Sequence, residues 1–164
     1  MDWLIITAYA VALVPLGILL VGRDVRLPQF AWNALAFTLL ILPATGWLAG
    51  WERGRRGATP GKRLLRLRTS GPGDGRLGWR RAFARNALKV ALPWELGHTA
   101  AFVLANPAST DSAAVLGIIC GLAGCVLAGA SVTFMFVRSG RKPYDLATST
   151  QVRTVPRWTG IVPD

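Results

Sequence analysis

Long apolar runs without a single charge alternate along this chain with short, strongly basic stretches. Residues 3–21, WLIITAYAVALVPLGILLV, are nineteen uncharged positions. At 1.5 Å per residue they reach about 30 Å as a helix, the thickness of a bilayer's hydrocarbon. Residues 30–51 are also uncharged, with Trp32, Trp47 and Trp51 near the ends, where indoles favour the membrane interface. Residues 113–137 form a third such run, flanked by Asp111 and Arg138. A weaker run over 83–105 carries Arg85 and Lys89 in its first turns and Glu95 and His98 further in. Basic side chains near a helix end snorkel to the headgroups, so this run reads as a fourth span, with a re-entrant or surface-lying amphipathic helix as the alternative. A secretory signal over the first run would need a basic start and a small-residue cleavage site, and neither Met1-Asp2 nor VGRDVRLPQ supplies them.

The expected fold is therefore all-α, an integral membrane bundle of four transmembrane helices at about 3–21, 30–51, 83–105 and 113–137. A basic cytoplasmic loop joins the second and third. Within it, LLRLRT alternates apolar and basic residues and SGPGDG is dense in turn formers, which predicts a short hairpin on the membrane face. Beyond it Arg81, Arg85 and Lys89 recur every four residues, which predicts one basic stripe on the helix that follows. The membrane domain is expected over residues 1–152 and a short cytoplasmic tail over 153–164.

Charge sets the orientation. The chain has 19 Lys and Arg against 8 Asp and Glu, a formal net charge of +11, with 52% apolar residues. A soluble nucleic-acid binder would spread such charge over the surface of an ordinary core, whereas here it is segregated from the apolar runs, so no nucleic-acid partner is expected. Twelve of the basic residues lie between Glu52 and Lys89, five follow Val137, two lie in GRDVRLPQF and none in NPASTDS. Because positive loops stay in the cytoplasm, both termini are expected there, in a multi-pass protein of the plasma membrane. Most of these residues are accounted for by topology and by attraction to anionic lipid headgroups, the expected partner surface.

Candidate chemistry is sparse. The stretch GATPGK suggests a phosphate loop, but three residues separate Gly57 from Gly61 where four are needed, and Arg63 follows Lys62 where Ser or Thr would hold magnesium. Cys120 and Cys125 read as small buried residues of the fourth span, and His98 cannot build a metal site alone. No nucleophile, base and oxyanion donor come together, so neither an enzyme nor a cofactor is expected. Glu95 and His98, three apart on one helical face, are candidate ion-coupling residues, since ionisable groups inside a membrane are expensive and mark ion pathways. Alternatively Glu95 pairs with Lys89 or a neighbouring helix. Gly117, Gly121, Gly124, Ala128 and Ser131 share one face of the last span. Small residues there suit packing within the chain or, second, a seam in a homo-oligomer.

Three segments together, GATPGKRLLRLRT, DGRLGWRRAFARNALK and RKPYDLATSTQV, resemble the RDD family of small integral membrane proteins. The resemblance carries the family's first aspartate to Asp2 and its loop to Gly57, Thr59, Gly61 and Lys62. It places the helix-entry arginine at Arg85 and the closing segment at Arg141, Asp145 and Thr150. Nothing before Met1-Asp2 matches the family's first arginine, which points to a start further upstream or to a member lacking it. Tyr144 stands where the family usually has histidine. The resemblance implies fold more than activity: a small transporter or transporter component for ions or small solutes, or a scaffold whose basic loop binds anionic lipid, a membrane partner or a cytoplasmic one. Asp145 is expected to be held against the 57–62 loop or Arg85, with Asp2 in the same cluster, because a poorly hydrated carboxylate seeks a bidentate arginine.

Overall fold

A computed structural model describes residues 1–106, 109–137 and 141–155 of the chain. The expected tail therefore lies outside the described residues from 156 onward. Four long helices dominate. The first is Asp2–Gly22. The second comprises Gln29–Ala36, a π turn at Phe37–Ile41 and Leu42–Arg53. The third comprises Trp79–Asn86, a π turn at Ala87–Ala91 and Leu92–Leu104. The fourth is Asp111–Val137. Asp2–Gly22, Gln29–Arg53 and Asp111–Phe134 are long and apolar enough to cross a membrane.

Both π turns have one cause. Proline lacks an N–H and its ring crowds the carbonyl four residues back, which at Pro43 and Pro93 is relieved by loosening the preceding turn, whereas Pro15 stands inside the first helix without a π turn. The Leu42 and Leu92 amides accordingly reach five residues back, to Phe37 and Ala87. The Leu39 carbonyl, four before Pro43, accepts a hydrogen bond from the Tyr9 hydroxyl at 2.5 Å. The first helix is thereby pinned to the second through the backbone group that proline frees.

Residues from both ends of the chain meet in one polar cluster, described below, with the end of the second helix and the start of the third. The four long helices therefore alternate in direction. At the opposite end Asn106 donates to Gln29 at 3.3 Å. Ile6, Ala44, Leu48 and Val90 form the buried core between the first three helices, with Trp47 and Trp94 against it. Outside this core the first helix is nearly all exposed: Leu4, Val11, Ile18 and Val21 are over 60% accessible. Apolar surface on that scale suits hydrocarbon rather than water.

The small-residue face of the fourth helix packs within the chain. A Cβ added at Gly117 would lie 3.1 Å from Val103 and 3.2 Å from Leu104; at Gly121 it would meet Ala100 at 3.5 Å, and at Gly124 Leu96 at 3.6 Å. Missing side chains let the third and fourth helices approach closely, the usual basis of association inside a membrane. Gly117→Leu is expected to cost about 1–3 kcal/mol through overpacking, read as thermal unfolding in detergent. An unchanged melting temperature with an altered oligomeric mass would instead place this face between copies.

The expected hairpin is replaced by a different pairing. β1, Leu67–Ser70, runs antiparallel to β2, Gln151–Thr154, with Leu67 opposite Thr154 and Ser70 opposite Gln151. SGPGDG closes only a single 3-10 turn at Pro72–Asp74. The strand's second edge is taken by Gly57, whose carbonyl accepts from the Thr69 amide at 2.8 Å. β2 carries on past residue 152, where the membrane domain was expected to end, and the Val155 amide extends it by donating to the Arg66 carbonyl at 2.8 Å.

Candidate functional site: a buried charge cluster and an intramembrane polar seam

The buried faces of the second and third helices end in charge. Ile41, Ala44, Thr45, Leu48, Ala49 and Glu52 recur at helical spacing, so the last inward position of the second helix is a carboxylate. Ala82, Arg85, Asn86 and Val90 do the same on the third. The Arg85 Nη1 atom lies 2.7 and 2.8 Å from the two Glu52 oxygens. Its Nε donates to Asp145 Oδ1 at 2.7 Å. Asn86 Nδ2 donates to Glu52 at 2.8 Å, and Lys62 Nζ donates to Glu52 and to Thr69 Oγ1, both at 2.5 Å. Thr150 Oγ1 donates to Asp145 at 3.0 Å. The side chains of Arg85 and Asp145 are 2% and 3% accessible and that of Glu52 is fully buried. Charges buried this deeply persist only when paired and hydrogen-bonded throughout.

The 57–62 loop holds a carboxylate where a phosphate was first suggested. Asp2 accepts the Thr59 hydroxyl at 2.5 Å and the Gly61 amide at 2.7 Å, while Thr59 also caps the short helix Pro60–Leu64. A Cβ at Gly61 would sit 2.9 Å from Asp2 Oδ1, so glycine is needed for the approach. Gly57 has φ +56°, and its Cβ would fall 2.7 Å from the Thr69 carbonyl. Every fixed position of the loop thus has a job: Gly57 admits β1, Thr59 and Gly61 bind Asp2, and Lys62 reaches Glu52.

Residues 2–148, which include this loop and its partners Asp2 and Glu52, match the RDD family. The chain belongs to the RDD family. No curated protein and no solved structure matches it. Of the family's positions expected to cluster, Asp145 does meet Arg85, whereas Asp2 is held by a hydroxyl and an amide instead of an arginine. Arg141 lies to one side, its Nη2 3.4 Å from the Thr150 carbonyl and its Nε buried without a partner. Tyr144 packs its ring under Arg85, 5.1 Å from the guanidinium carbon. Burial pushes its phenol up to about 12, with Arg85 partly opposing, so the ring stays neutral through the physiological range. Burial also draws Lys62 down to about 8, Arg85 adding to the shift and Glu52 resisting it. The expected basic stripe is broken up: Arg81 is exposed, Arg85 is buried, and Lys89 lies inside the π turn.

Deeper in the bundle, Glu95 and His98 are not brought together. Glu95 Oε1 accepts from Asn33 Nδ2 at 2.5 Å, and the same amide lies 3.4 Å from Thr99 Oγ1. Neither hydrogen bond nor ion pair among the described residues joins Glu95 to Lys89. His98 turns to the Trp94 carbonyl at 2.9 Å and lines a cavity with Leu40, Pro93 and Gly97. Glu52, Asn86, Thr69, Asn33 and Thr99 were missed from sequence. Glu52 was findable, because it continues the inward stripe of the second helix at a spacing of four from Leu48.

Proposed function

We propose that this RDD membrane protein is a small multi-pass transporter, or a component of one, for ions or small solutes. The observation carrying this reading is a pair of matching π turns in antiparallel helices. The π turns begin at 37 and 87 and the prolines stand at 43 and 93, fifty residues apart in both cases. Two residues beyond each proline is a buried oxygen without a partner, Thr45 Oγ1 and Glu95 Oε2. π turns are frequent at functional sites, and transporters place their substrates where helices in corresponding, inverted positions lose their regularity beside unsatisfied polar atoms. In this reading the third helix is a fourth crossing, its buried Arg85 held at the cytoplasmic boundary, and both termini lie in the cytoplasm of a plasma-membrane protein. A reporter inserted near Gly73 is expected to read as cytoplasmic and one near Ser109 as external; a cytoplasmic Ser109 reporter would remove the fourth crossing.

A scaffold role is the second reading, favoured by the surface around the loop. Arg53, Arg56, Arg66 and Arg80 are exposed there beside Leu64, Leu65 and Trp79. That mixture suits anionic headgroups. A flux screen in reconstituted liposomes separates the two: movement of any ion or solute above protein-free liposomes supports transport, and none, with anionic lipid retained, supports the scaffold.

A further inference from the structure

We propose that the groove between the first and second helices, with Arg63 and Arg56 at its mouth, seats one anionic glycerophospholipid from the leaflet that the basic loop faces. This rests on the lipid-binding reading of that loop, gives it a defined seat and is independent of transport. Ile5, Ile6 and Tyr9 of the first helix and Pro43, Ala44 and Trp47 of the second line a cavity of about 360 Å³. Its lining is apolar but for the Tyr9 hydroxyl, which is already spent on the Leu39 carbonyl. Such a groove offers nothing to a polar solute and takes hydrocarbon. Ile5, Tyr9 and Pro43 are exposed, so it opens on the bilayer side of the bundle.

The groove runs up to a guanidinium. Trp51 stands one turn beyond Trp47, their ring centroids 6.2 Å apart, and the Arg63 guanidinium carbon lies 4.4 Å over the Trp51 ring. From Pro43 to Trp51 the helix rises about 12 Å at 1.5 Å per residue. That span leads from hydrocarbon to the level where indoles and arginines meet headgroups. The 57–62 loop puts Arg63 there: Asp2, three residues before Ile5, accepts the Gly61 amide, and Arg63 follows in the short helix Pro60–Leu64. Arg63 Nε donates to the Ala58 carbonyl at 3.2 Å, which fixes the guanidinium against the indole.

Charge selects the headgroup. Residues 53–66 carry six basic side chains and no acidic one. Exposed Arg56 lies close enough to Arg63 that, after burial, its charge is the next cause holding Arg63 below its ordinary value. Two guanidiniums brought together repel, and a phosphate between them relieves the repulsion while accepting their paired N–H donors. A choline headgroup gains less, because the Trp51 face that would attract its ammonium is covered by Arg63. Cationic mouth and apolar groove lie in the order in which a phospholipid presents its phosphate and its acyl chain.

Native mass spectrometry of the full-length protein in detergent, titrated with phosphatidylglycerol or with phosphatidylcholine of the same acyl chains, tests this. One phosphatidylglycerol per chain should bind at least about tenfold more tightly than phosphatidylcholine, the scale of two charges near a membrane surface. Arg63→Gln should weaken that binding by about tenfold or more, as the loss of a charged hydrogen-bond donor. Ile5→Trp, which fills the groove, should also weaken it, whereas Arg80→Gln, beside Trp79, should leave it unchanged. Inorganic phosphate should not displace the lipid. Equal affinity of the wild type for the two lipids would overturn the proposal whatever the variants do, as would displacement by phosphate or an undiminished preference in folded Arg63→Gln. Equal weakening by Arg63→Gln and Arg80→Gln would keep a general attraction of the loop for anionic lipid and remove the seat; no association with anionic lipid at all would remove both.

Discussion

Arg85→Gln is expected to destabilise the protein by about 3–5 kcal/mol, the scale for removing one partner of a buried ion pair. Among the described residues, the guanidinium is the only group that hydrogen-bonds to both Glu52 and Asp145. Without it Glu52 keeps Lys62 and Asn86, while Asp145 keeps the Thr150 hydroxyl and no described cation within bonding distance. The tail would then lose its main tie to the bundle, and β2 its anchorage beside β1. Arg85→Lys should recover only part of the loss, since a point-charge ammonium cannot reproduce two directed contacts from one planar group. A cycle with Asp145→Asn isolates the clamp. Thermal unfolding in detergent should show coupling above about 1 kcal/mol, and additive effects would leave Asp145 without a structural partner in Arg85.

The second large effect is expected at Glu95. Glu95→Gln keeps the shape and the hydrogen bond from Asn33 but removes the charge. Flux in reconstituted liposomes should fall to the protein-free background while expression and melting temperature stay close to wild type. Loss of stability without loss of flux per folded molecule would make Glu95 a packing residue. His98→Ala is the contrasting substitution, because His98 faces the Trp94 carbonyl instead of Glu95, and it should leave the flux largely intact.

Much of the architecture is legible because one physical variable dominates it. Uncharged runs long enough for hydrocarbon locate three of the long helices to within a few residues, and the family resemblance together with a boundary carboxylate's need for a cation narrowed Asp145's partner to the 57–62 loop or Arg85, of which Arg85 is the one it meets. The 57–62 loop was legible only as a pattern. Its occupant, Asp2, lies 57 residues before Thr59, and nothing local announces that pairing. The same holds for β1 and β2: alternation in LLRLRT signals a strand, but turn-rich SGPGDG argues for a neighbour close in sequence, while the true partner follows the fourth helix. Glu52 was hidden by its context, since WERGRR reads as a solvated helix end until the inward stripe from Ile41 is followed through it. Glu95 was visible as a charge in an apolar run. Its partner Asn33 was not, because an uncharged amide in a helix gives no periodic signal.

The most direct measurement is cation flux through the purified RDD protein in liposomes carrying an imposed gradient of lithium, sodium or potassium, with protein-free and Glu95→Gln liposomes alongside. The predicted result is gradient-driven movement of at least one of these cations, well above both controls. Wild-type protein that is folded, inserted and no faster than protein-free liposomes would contradict the account.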